Sequence, residues 1–175
     1  MNSSQTAVWV GAAVLLFWTV GAYNRLVRLR NTILSSFGPV DEQFKLRHDL
    51  LLAQCEALTP RLAETPERLE ALRAACRQAE VAHARARAQP GASGATTSMR
   101  LAEDILNDTR SRIAQDGAAD PALDELNARL AASDATLAFA RKQFNDAAQE
   151  YNHAVNQFPT WLIASLFSFR TAGLL

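Results

Sequence analysis

The 175-residue sequence predicts an all-α protein: an N-terminal transmembrane helix continuing into a long antiparallel four-helix bundle, with a short apolar segment closing the chain. Three observations carry this reading. The block AVWVGAAVLLFWTVGA lies in a stretch, Met1 to Tyr23, with no charged side chain, and the basic run YNRLVRLRN follows it directly. Beyond it, apolar residues recur at spacings of three, four and seven, the period of a helix with one buried stripe. No strand-forming run is present, and the apolar content is mostly Ala and Leu, as suits helices packed on helices.

The first element is the anchor, residues 1–23. From Thr6 to Tyr23 it reaches the roughly 17 to 25 residues a helix needs to cross ~30 Å of hydrocarbon, with Trp9, Val14, Leu15, Phe17, Trp18 and Tyr23 as its lipid-facing residues. Trp9 and Tyr23 fall near its two ends, where amphipathic rings favour the headgroups. A cleaved signal peptide would carry a basic residue before the apolar block and a small-x-small site after it; MNSSQT has no Lys or Arg, and VGAYN is a poor site. Arg25, Arg28 and Arg30 follow the block and none precedes it. This asymmetry predicts an N terminus outside, a cytoplasmic body, and arginines in contact with lipid at the inner membrane.

The body, residues 24–158, begins with a rod whose inward stripe is Leu26, Leu29, Ile33, Phe37, Val40, Phe44 and Leu51. Gly38-Pro39 interrupts it, and because the apolar phase is the same on both sides, a kink or tight break is expected there and no reversal. The rod ends near Leu58. A second helix starts at Pro66 with Thr65 as its cap and runs to about Ala88. QPGASGATTS, residues 89–98, is small, polar and uncharged and reads as a flexible connector. A third helix covers about Met99 to Gln115, with Leu101, Ile105, Leu106 and Ile113 as its apolar side and Gly117 closing it.

The last helix, opened by Asp120-Pro121, carries a seam of Leu123, Leu130, Leu137, Phe144, Tyr151 and Phe158, one every seven residues. Between them fall Leu126, Ser133, Ala140, Ala147 and Ala154, small enough for a neighbouring helix to approach closely. If the helices alternate up and down, Phe158 returns to the level of the bilayer. The remaining segment, 159–175, contains TWLIASLFSFR and is too short to span. It either caps the base of the bundle or lies in the membrane interface with Arg170 outward.

Two resemblances to known architecture need separate weighing. YNRLVRLRN, Phe37, Val40-Asp41, Gln43, Lys45 and Arg47-His48-Asp49-Leu50, then Ala140-Arg141, Phe144-Asn145, Tyr151-Asn152 and FPTWLIASLF, resemble the LemA family of bacterial membrane proteins over residues 20–55 and 120–169. The resemblance implies one N-terminal transmembrane helix with the N terminus outside, a long cytoplasmic antiparallel bundle, and no established enzymatic activity. Phe37-Gly38-Pro39 departs from the family's usual Trp and two helix-compatible residues, and Leu52 stands where the family usually has Pro. The other resemblance is to di-iron bundles: Glu80-x-x-His83 and Glu150-x-x-His153 have their spacing, with Glu42, Glu56 or Glu103 as further carboxylates. On helical geometry His83 lies near the apolar centre of its helix, set by Leu72, Cys76 and Ala79, while His153 lies roughly 140° from the seam. No metal, cofactor or catalytic set is therefore expected, and no nucleophile with its base or phosphate cradle is visible.

The charge pattern bears on partners. Arg and acidic residues alternate along the body, 18 basic against 18 acidic, which reads as solvated helix surface and excludes a nucleic-acid face. Cys55 and Cys76 are either a pair or two small apolar residues, the latter being expected in a cytoplasmic body. Asn24, Arg28 and Asn31 form a polar stripe opposite Leu26, Leu29 and Ile33, either a solvated face or a contact surface fixing the register of neighbouring helices. The expected role is a non-catalytic interaction or scaffold module, with the lipid bilayer and protein partners or further copies of itself as its contacts, and no small-molecule substrate. The alternatives are a membrane-remodelling element acting through the apolar C-terminal segment and, further off, a metal-binding bundle enzyme. One uncharged span gives a pore nothing to line itself with.

Overall fold

The computed structural model describes residues 3–114 and 121–175, with side chains from Gln5 to Ile113 and from Leu123 onward. Among the described residues every regular element is a helix: α1 (Ser3–Leu58), α2 (Pro66–Ala88), α3 (Ser93–Ala114), α4 (Pro121–Asn156) and α5 (Thr160–Leu166). The expected ends at Gln115 and Gly117, and the cap at Asp120, lie outside the described residues.

Helix α1 is one continuous rod of 56 residues with Pro39 inside it, so no break divides it. Gly38 and Pro39 are both exposed, so the Ser35 carbonyl that lost its Pro39 donor lies on the wet side of the helix. The whole expected stripe is buried: Leu26, Leu29, Ile33, Phe37, Val40, Phe44 and Leu51. On α4 the seam residues Leu123, Leu130, Leu137, Phe144 and Tyr151 are buried as well. Phe158 departs from the seam and is 74% exposed. The helix ends at Asn156, and the turn into Pro159 removes Phe158 from the surface that a further helical turn would have given it.

Close approach decides the pairing of helices. Helix α1 lies against α4, where Ala140, Ala148 and Ala154 are buried, and α2 lies against α3, where Ala75, Ala79, Ala82 and Ala86 on one side and Ala95 and Ala102 on the other are buried. Small side chains let backbones come near, and large ones from the partner fill the gaps. The α2–α3 connection is shorter than expected. Residues 93–98 are the first turns of α3, with Ala95 and Thr96 N–H groups donating to the Ala92 carbonyl at 2.9 and 3.0 Å, so only 89–92 turn. Gly91 has φ +83°, a conformation that suits a residue without Cβ.

Two further expectations are corrected. Thr65 occupies the cap position of α2, but its hydroxyl makes no capping bond; at ψ 59° the backbone carbonyl takes the Arg68 N–H instead, at 3.1 Å. The inward face of α3 is Ala95, Thr96, Met99, Ala102, Glu103 and Leu106, while Leu101 is 57% and Ile105 38% exposed. With α3 turned this way, the buried Glu103 faces Arg47 of α1.

Halfway up the bundle, Arg47 is 2% exposed and reaches three partners: Glu103 Oε2 at 2.5 Å, Asp134 Oδ1 at 2.5 Å, and Asn107 Oδ1, to which it donates at 3.1 Å. Arg141 lies 3.0 Å from Glu103, and Arg110 is 3.1 Å from Asp134. These charges join α1, α3 and α4 across the space that close alanine packing leaves open. Cys55 and Cys76 are both buried and free, and a hydrogen bond between the two sulfurs holds the Cys55 thiol below its usual range and pushes that of Cys76 up, which burial reinforces.

Candidate functional site

The features that point to function gather at the base of the bundle, where α1 enters it and α5 lies against α1. From Gln5 to Trp18 every residue of α1 is exposed, with Val8, Trp9, Val10, Val14, Leu15, Leu16 and Phe17 at 59% to 77%. Thr19 in this stretch donates its hydroxyl to the Leu15 carbonyl at 2.8 Å, so its polar group is satisfied within the helix. At Ala22 the helix enters the bundle, and from Leu26 on it buries one face only. Trp18 and Tyr23, each 37% exposed, mark the boundary.

Helix α5 lies at this boundary. It buries Thr160, Ile163 and Ala164 and leaves Trp161, Leu162 and Leu166 exposed, beside the exposed Phe158 and Phe167. The segment therefore caps the bundle with one face and presents an apolar surface with the other. Its C terminus is a reversal: Phe169 N–H donates to the Ala164 carbonyl at 2.8 Å and Ser168 N–H to that of Ser165 at 3.3 Å, with Ser168 at φ 56° in the position usually given to glycine. The reversal sends Phe167 and Phe169 onto Tyr23, with ring centroids at 4.9 and 5.7 Å.

From there residues 170–175 run back up the bundle as an extended strap on α4. Asn152 donates to the Ala172 carbonyl at 2.8 Å and accepts from the Ala172 N–H at 2.6 Å. Asn145 does the same with Leu175, at 2.7 and 2.8 Å. Each amide thus pairs with the strap as a neighbouring strand's peptide group would. The spacing fits because seven helical residues and three extended ones both advance about 10 Å. Gly173 N–H donates to the Gly91 carbonyl at 2.8 Å, and a Cβ at Gly173 would fall 2.6 Å from the backbone of Ser93. Asn145 and Asn152 belong to the motifs quoted above, but their role was invisible without a view of where the strap lies.

The basic residues rim this base. Arg25, Arg28, Arg30, Asn24 and Asn31 are all exposed on α1, and Arg170 is exposed on the strap. The side chains of Asn24, Arg28 and Asn31 make no hydrogen bond to the described residues.

The residues weighed for metal chemistry do not converge. His83 is buried, stacks on Phe44 at 3.9 Å and lies 3.2 Å from Asp41; Glu80 points outward, 3.7 Å from His48. Burial pushes the His83 pKa down to about 4, with Asp41 opposing the shift. Glu42, Glu56, Glu150 and His153 are exposed, and among the described residues no three metal-ligating side chains form a group.

Comparison with known proteins agrees with this architecture. No curated protein matches the chain. The LemA family matches residues 36–175, a span that takes in most of the bundle, α5 and the strap held by Asn145 and Asn152. The chain belongs to the LemA family.

Proposed function

We propose that the chain is a single-pass stalk of the bacterial inner membrane, with its N terminus outside and its bundle in the cytoplasm, acting as a non-catalytic module that binds protein partners or copies of itself. The observation that carries this reading is the change of character along α1. The same helix is apolar on all sides below Ala22 and apolar on one side above it, as expected of a rod passing from lipid into a protein core. Arginines that follow the span and do not precede it support the orientation. Asn24, Arg28 and Asn31, exposed near the membrane, offer a contact stripe. If Asn24→Ala with Asn31→Ala leaves oligomer size and co-purifying proteins unchanged, that stripe is solvated surface only. Orientation is tested with a protease-sensitive tag after Leu175: protection until the inner membrane is permeabilised supports a cytoplasmic bundle, and cleavage before that refutes it.

A second reading, membrane remodelling, is favoured by the exposed face of α5. Vesicles carrying the full chain should deform, and those carrying Trp161→Ser with Leu166→Ser should stay round. Equal shapes would remove the reading.

A further inference from the structure

We infer that the cleft between the strap and the α2–α3 turn is a binding site for a phosphate ester. The cleft has a volume of about 660 Å³ and is bounded by α1 at Arg30 and Ile33, the turn at Gln89–Gly94, Tyr151 of α4, and strap residues 168–172. A volume of this order suits a small ligand. Its polar groups favour an anion. Arg30 and Arg170 both line it, and among the described residues that line it there is no Asp or Glu. Ser93 and Gly94, the first two residues of the 22-residue helix α3, also line it, so the positive end of that helix opens onto the cleft.

An independent observation points to a ligand. Tyr151 is 3% exposed and lines the cleft, and its hydroxyl, which makes no hydrogen bond to the described residues, keeps contact with the open space there. Arg30 is close enough for its charge to act on the phenol. A phosphate in the cleft would accept from Tyr151 and from the two guanidinium groups, near the positive end of α3. Such charge-assisted bonds are the strong ones, and arginine's fork suits phosphate geometry. The site was not visible as a sequence motif because its donors come from four separate segments.

The ligand has two possible sources, a lipid headgroup and a free phosphate ester. Arg30 lies seven residues beyond Tyr23, about 10 Å along the helix, which is headgroup depth if α1 is a membrane anchor. Assignment of the source, but not of the phosphate, rests on that reading.

The test is isothermal titration of the full chain in a neutral maltoside detergent, with dihexanoyl phosphatidylglycerol and, separately, sn-glycerol 3-phosphate. Saturable binding is expected, weakened about tenfold or more by Arg30→Gln with Arg170→Gln and measurably by Tyr151→Phe, with helicity unchanged. Both arginines are exposed and Tyr151→Phe removes one oxygen, so these variants keep the fold. Phosphatidylglycerol bound about tenfold more tightly than glycerol phosphate identifies a lipid headgroup; equal affinities identify a free ester; either supports the site. Absence of saturable binding by both probes, or unchanged affinity in the variants, overturns it. Quenching of Trp161 by brominated lipid, measured separately, reports on the membrane reading, so either idea can fail alone.

Discussion

Two polar closures hold this bundle, and they differ in charge. About 36 Å above Tyr23, Arg47 is sunk between α1, α3 and α4 and meets the carboxylates of Glu103 and Asp134, with Arg110 and Arg141 completing the set. Lower down, Asn145 and Asn152 hold the strap through neutral amide pairs. The upper closure is surrounded by helices that can supply counter-charges on several sides. The lower one ties down an extended strap, whose neutral peptide N–H and carbonyl groups an amide side chain pairs one for one. Polar chemistry thus follows the surroundings available at each level.

The largest expected effect comes from breaking the ionised closure on one side. Arg47→Met leaves Glu103 buried beside only Arg141 and should destabilise the bundle by about 3 to 5 kcal/mol in denaturant titration. Adding Glu103→Leu to it should recover much of that loss, since an unpaired buried charge is what costs most.

Next comes His83, which sharpens the contrast by being buried and neutral beside Asp41. Its folded pKa of about 4 lies below the ordinary 6.5, so the unfolded chain binds the proton more readily between those values. Its contribution is intact above pH 6.5 and is lost as pH falls toward 4, by up to about 3 kcal/mol. The slope of stability against pH across that window should be flatter in His83→Gln than in the wild type.

The neutral closure should yield smaller numbers. Asn152→Ala leaves the Ala172 N–H and carbonyl without their partners, at a cost of about 1 to 3 kcal/mol, seen as faster hydrogen exchange confined to the strap. Gly173→Ala should release the strap in the same assay, since its Cβ would meet the Ser93 backbone. The smallest effect has the opposite sign: Ser168→Gly relieves a left-handed residue at the α5 reversal and should stabilise by about 1 kcal/mol in thermal melts.

These closures also mark what the sequence could and could not show. The stripe of α1 and the α4 seam to Tyr151 are apolar residues at regular spacing, so periodicity alone finds them. Helix α3 defeats that rule because its inward face includes Glu103, and an ionised residue counts as outward until Arg47 is known to face it. The Asn145 and Asn152 pairing depends on a strap whose course is set by the reversal at Ser168, a serine where glycine would have been the signal. Phe158 kept the heptad count but not the helix. The opposite placement of His83 and His153 followed from helical angle, and the structure has one buried and the other exposed.

The central proposal is that α1 enters a membrane and that the base of the bundle, with α5 on its rim, sits in the interface of that membrane. Trp161 is 47% exposed there, and Trp9 and Trp18 are the other tryptophans of the chain. With both replaced by Phe, the full-length protein would be reconstituted into vesicles of lipids brominated along their acyl chains. Quenching of Trp161 emission, strongest for bromines near the headgroup, is the predicted result; emission equal to that in unbrominated vesicles would contradict the claim.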